Sequence, residues 1–95
     1  MVKAYLNDTL IAATDSPILL EGNYYFPAKD VKMEYLKASD HHTVCPWKGL
    51  ASYYSVTAGG TADENAAWYY PDPKPEAVNI KDYIAFWHNV KVVKE

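Results

Sequence analysis

The sequence predicts a mainly β domain, with one or two short helical turns between its strands. Three observations carry this prediction. Segments rich in Tyr, Val and Trp, several with apolar and polar residues alternating, recur along the chain. Asn, Asp, Gly and Pro punctuate them at short intervals. No stretch holds a helical hydrophobic period long enough for an extended helix. At 95 residues, the chain reads as one domain over 1–95, which buries only ~60–65% of its unfolded surface and must fill its core well. Three Trp, nine Tyr and two Phe supply that filling. Each ring buries ~150–250 Å², but the tyrosine hydroxyls also want water or a partner, so a half-wet aromatic wall is expected.

The elements follow in order. "VKAYL" and "LIAAT" flank the polar "NDT", so the chain opens with a β-hairpin. "ILLEGNYYF" places a turn at Gly22-Asn23 before an aromatic strand. In "PAKDVKMEYLKASD", Pro27 suits a first helical turn and Val31, Tyr35 and Leu36 recur at helical spacing. Val31, Met33 and Tyr35 equally fit a strand, and the expectation is a helical turn near 28 to 31 followed by a strand. "SDHHTVCPWKG" has neither period and reads as a loop. "LASYYSVTAGG" and "AAWYYP" then form the clearest hairpin, joined by a turn over 57 to 65 that contains the flexible "GGTADEN". The prolines of "PDPKP" exclude a central strand and give a semi-rigid link, ending in a helical turn at "PEAVNI". "YIAFWHNVKVVKE" closes the chain as strand, with Phe86 and Trp87 expected in the core.

Four blocks, "YFPAKDVKMEYL", "TVCPWKGLASYYSV", "AWYYPDPKPEA" and "IKDYIAFWHNVKV", resemble the domain-of-unknown-function family 427 (DUF427), small bacterial and fungal proteins. They occur in that family's order and span most of the chain. The resemblance implies a small twisted antiparallel sheet or half-barrel of the Mss4-like class. It implies little about function. A nucleotidyltransferase-like label attached to some members does not fit these residues, because such chemistry needs a Gly-rich phosphate loop or clustered carboxylates holding magnesium. "AGG" followed by "ADEN" is a turn.

Charge and cysteine usage narrow the partners. Nine lysines, no arginine and twelve acids give a net charge of −3, without the basic face or arginine forks of a nucleic-acid binder. No apolar run of about 18 residues is present and "MVKAYLNDTLIAATDS" lacks a signal-peptide core, so a cytoplasmic protein without membrane partners is expected. The single Cys45 excludes an intrachain disulfide and a four-cysteine zinc ribbon. His41 and His42, if extended, point to opposite faces. No metal and no cofactor is expected, and the oligomeric state is left open.

The side chains most able to bind or react gather around "HHTVCPWKGLASYYS". Trp47, Lys48, Tyr53, Trp68 and Tyr70 are the expected pocket residues. The 45 to 49 segment feeds the strand bearing Tyr53, that strand pairs with the one bearing Trp68, and positions 68 and 70 share parity. Lys48 would face an anionic group as a point charge, or rest on Trp47 or Trp68 as a cation–π contact. Cys45, with His42 or Lys48 three residues to either side, is an accessory nucleophile or a loop anchor. Asp30, Glu34 and Asp63 form no evident carboxylate pair, and His88 reads as a surface residue. The leading expectation is a domain whose aromatic cleft takes a small organic ligand. The alternatives are an enzyme using Cys45, Lys48 or a tyrosine, and an interaction module presenting an exposed aromatic patch.

Overall fold

The computed structural model describes residues 1–95 and is mainly β, with three antiparallel sheets and no closed barrel. β1 (Val2–Leu6) and β2 (Thr9–Thr14) form the opening hairpin, and β9 (Lys91–Lys94) pairs on the other side of β1. Asn7 and Asp8, both at positive φ, make its two-residue turn, the geometry that matches the twist of paired strands. β3 (Ile18–Leu20) and β4 (Asn23–Tyr25) form a second hairpin. β5 (Leu36–Cys45), β6 (Gly49–Ala58), β7 (Thr61–Tyr69) and β8 (Ile84–Phe86) lie in that order in the largest sheet. Phe26 and Ile84 exchange both backbone hydrogen bonds at 2.8 Å, which joins the β3–β4 hairpin to the far edge of β8. Short 3₁₀ turns at Ala28–Asp30, Met33–Tyr35 and Pro75–Ile80 complete the chain. None of the helical turns is long and apolar enough to cross a membrane.

Alternation along β6, β7 and β8 gives the large sheet two buried faces. Val56, Ala58, Ala67, Ile84 and Phe86 pack on one side against Val2, Ala4 and Leu6 of β1 and Ile11 of β2. Leu6, Ile11 and Ile84 are at most 2% exposed, and each contributes about 1.5–3 kcal/mol by leaving water. On the other side Ala51, Tyr53, Tyr70 and Ala85 form a second cluster with Tyr25, Ala77 and Ile80. The two clusters explain the tyrosine pairs. Tyr54 and Tyr69 stack at 4.7 Å on the first face, whereas Tyr53 and Tyr70 enter the second.

Four local expectations are corrected. The second turn is Glu21-Gly22, both at positive φ, and Asn23 already belongs to β4. A second 3₁₀ turn follows the first, so the strand begins only at Leu36. Most of "SDHHTVCPWKG" is strand β5, which shows no period because it is an edge strand exposed along most of its length. Only 46–48 turn. The "GGTADEN" loop shrinks to Gly59-Gly60, and Thr61 to Asn65 are strand, with three residues (64–66) bulging opposite Ser55. Bulges hide strands from a simple alternation count.

Candidate functional site

On the second face, Lys48, Tyr53, Trp68 and Tyr70 border one hollow of about 250 Å³ together with Asn23 and Trp87. The register places them there. Tyr53 stands directly opposite Trp68 across β6 and β7, so both rings project from the same side of the sheet. Tyr70 follows Trp68 with the same parity and is tied down by the hydrogen bond from Asp82 N to its carbonyl, 3.1 Å. Trp87 lies one residue beyond β8 and continues its alternation. Ala85 pairs with Trp68 and Phe86 with Ala67, so position 87 turns toward Trp68, at 5.4 Å between centroids, and Tyr53, at 6.3 Å.

Trp87 is therefore not in the core. It is 43% exposed, while Phe86 is buried. Its indole N–H donates to the Asn65 carbonyl at 2.6 Å, which the β7 bulge presents. The Trp68 N–H donates to the Tyr25 hydroxyl at 3.2 Å, and Tyr53 shares a 2.9 Å hydrogen bond with Thr43 Oγ1. The polar edges of these rings are thus engaged by the protein, leaving their apolar surfaces to shape the hollow.

Lys48 is the charged member. The turn that carries it is fixed by Gly49, whose φ of +114° suits only glycine, and by Lys74. The Lys74 N–H donates to the Lys48 carbonyl at 2.9 Å and its ammonium donates to the Pro46 carbonyl at 2.6 Å. The proline-rich segment before the last 3₁₀ turn thereby braces the Lys48 backbone. The Lys48 side chain is only 10% exposed and forms an ion pair with Glu21. Its Nζ lies 5.5 Å from the ring centroids of both Trp47 and Tyr70, within cation–π range. Burial opposes the ammonium charge, but the Glu21 hydrogen bond and the nearby Tyr25 and Tyr70 outweigh it, holding the group above the usual lysine range. The Lys48 hydrogen bond in turn holds the Glu21 carboxyl below the usual carboxylate range. Burial raises the Tyr70 hydroxyl, partly offset by Lys48.

The remaining sequence candidates separate. Trp47 stands outside the lining of the hollow, and its Nε1 donates to Glu21 at 3.4 Å. Cys45 is half-buried against the second cluster, opposite Gly49. His42 is paired with Ser52 on the other face, its Nδ1 3.2 Å from Ser52 Oγ. Three residues apart on one strand, Cys45 and His42 point in opposite directions, which removes the Cys-His dyad. His41, not His42, comes to the second face, 4.6 Å from the Tyr53 ring. Asp63 is buried and accepts the Asn89 N–H at 2.8 Å, and Asp30 accepts from Thr14 at 2.7 Å, both structural contacts. His88 is exposed and stacks on Trp87 at 4.2 Å. No group of three His, Cys, Asp or Glu side chains is arranged to hold a metal ion.

Sequence reasoning missed Asn23, Glu21 and Trp87. Alternation in "IAFW" was a usable signal for Trp87, since neighbouring strand residues cannot both face one core. A second hollow of about 280 Å³ lies beside β1 and β9, bordered by Tyr5, Asp8, Lys91, Val93 and Glu95. It has a single ring and mostly charged side chains, and lacks a buried ionic group.

The fold and this face define a small all-β domain with a cluster of aromatic side chains around one ion-paired lysine. The chain belongs to the family described as a domain of unknown function (DUF427), whose model matches residues 1–95. No curated protein sequence matches it.

Proposed function

We propose that the domain binds a small planar organic molecule in the hollow between Asn23, Lys48, Tyr53, Trp68, Tyr70 and Trp87. The observation that carries this reading is the convergence of side chains from five separate stretches of chain on one concavity, with four aromatic rings and a buried ammonium at its border. Aromatic walls with a few placed polar groups are the usual composition of ligand sites. At about 250 Å³ the hollow is smaller than the ~300–1,000 Å³ of drug-sized pockets, which favours a ligand of one ring. The opposed directions of Cys45 and His42 weigh against a thiol enzyme. Val44 and Leu50, exposed and paired across β5 and β6, lie on the sheet face opposite Trp87 and so do not extend it into one apolar patch.

The test is a titration with single-ring aromatic compounds, followed by the indole N–H resonances of Trp68 and Trp87. At least one compound should shift both, and Trp68→Ala should weaken it tenfold or more, whereas Tyr5→Ala in the other hollow should not. A panel that moves neither indole, or a compound that binds equally well to Trp68→Ala, would remove the hollow as a ligand site.

A further inference from the structure

We infer that the ligand of this hollow carries a carboxylate, and that Glu21 is a displaceable internal substitute for it, an inference that rests on the ligand-binding reading above. The Glu21 carboxylate is held chiefly by Lys48, whose Nζ donates to Oε1, while Trp47 Nε1 makes only a longer contact with Oε2 at 3.4 Å. The charge-assisted Lys48 bond is the strong contact of this carboxylate. Lys48 and Glu21 differ in how far each is withdrawn from water. Lys48 is 10% exposed, on a turn braced by Lys74, whereas the Glu21 side chain is 50% exposed at the tip of the two-residue β3–β4 turn. The ammonium is buried and its turn braced, whereas its carboxylate partner stands half in water.

The same ammonium borders the hollow with Tyr53, Trp68, Tyr70 and Trp87. A ring seated among those side chains would bring an attached carboxylate to Lys48 Nζ, where it would take the place of Glu21. The exchange keeps the buried ammonium paired throughout, and the released Glu21 carboxylate, already half in water, regains its hydration. An ammonium desolvated without a partner would be costly, so the internal carboxylate also explains how a buried lysine is tolerated. Aromatic cations are disfavoured by Lys48, and neutral aromatics gain no ionic contact. The ligand class is therefore an aromatic carboxylate of about one ring.

The test compares benzoate with its neutral isostere benzamide, at constant ionic strength, on the intact chain and on two variants. Glu21→Asn shortens the side chain so that it no longer reaches Lys48, and asparagine tolerates the positive φ of this position. Glu21→Gln keeps the length and removes the charge. Both variants are first checked for native circular dichroism. Benzoate should bind Glu21→Asn at least tenfold more tightly than the unmodified chain and Glu21→Gln in the same direction, with benzamide unchanged within twofold. Lys48→Met should abolish the benzoate preference and retain benzamide. If benzamide binds while benzoate is unaffected by either Glu21 variant, or if both compounds gain equally, the displaceable carboxylate is wrong and the hollow stands. If benzoate binds no form, the displaceable carboxylate is wrong, while the hollow itself stands or falls with the indole shifts of the wider panel.

Discussion

Lys48 and Glu21 form one ion pair, but they are not equivalent to remove. The ammonium is nearly out of water, and its counter-ion is half in it. Glu21→Gln leaves a buried charge without its partner, while Lys48→Met leaves only a carboxylate that water can cover. Breaking a pair costs most when it strands the buried member. Glu21→Gln should therefore lower the melting temperature at pH 7 more than Lys48→Met does. Differential scanning calorimetry decides the order, and the reverse order would mean that Lys48 is hydrated. Lys48→Ala should cost about 2 kcal/mol more than Lys48→Met, the scale of two to three buried methylenes at ~0.8 kcal/mol each. Glu21 also sets an acid limit. Because its carboxyl is held below the usual range by the Lys48 hydrogen bond, its contribution is complete above the unfolded pKa of ~4.3. It fades as pH falls through the lower folded value.

At the scale of the element, the Lys48 turn depends on one backbone conformation. Gly49 has a φ of +114°, and a Cβ there would come within 3.5 Å of the Asp72 carbonyl and the Lys74 nitrogen. The space is tolerable but the torsion is not. Gly49→Ala should cost about 1–3 kcal/mol, the range for a side chain forced into a glycine-only region. Urea unfolding measures it, and a cost below the error of the method would show that the turn can relax. The opening hairpin, the Tyr53–Trp68 hairpin and the 3₁₀ turn after "PDPKP" were legible because local turn chemistry and alternation encode them. β5 was not, since an edge strand that faces water along most of its length has no burial pattern to display. The shared face of Trp68 and Tyr70 was legible through parity, but the direction of Tyr53 was not, because the register across the turn, with its bulge at 64–66, is not encoded locally. Glu21 was not, because its pairing with Lys48 spans 27 residues and depends on the Phe26–Ile84 bridge that brings the β3–β4 hairpin alongside β8.

At the scale of the whole molecule, one sheet has both faces covered, and tyrosines pack at the margin of the first cluster and inside the second. The sheet packs Tyr54 and Tyr69 against the first cluster and Tyr53 and Tyr70 within the second. Burial pushes the Tyr54 hydroxyl up to about 12, with the Tyr69 hydroxyl adding to the shift. Tyr70 is raised by burial and Lys48 is held above its usual range. These three groups, on the two faces, share one sign. In each the folded state holds its proton more firmly than the unfolded chain, whose tyrosines and lysines titrate near ~10 and ~10.4. The stability they contribute is complete below about pH 10 and is lost as pH rises through the folded values. The melting temperature should therefore be flat with respect to these groups near neutrality and fall steeply between about pH 10 and 12. Below the unfolding pH, ultraviolet difference absorbance should show one tyrosine ionising near 12, which Tyr54→Phe removes. Ionisation of all nine tyrosines in a single step near ~10, with the fold intact by circular dichroism, would mean that neither face excludes water from its hydroxyls.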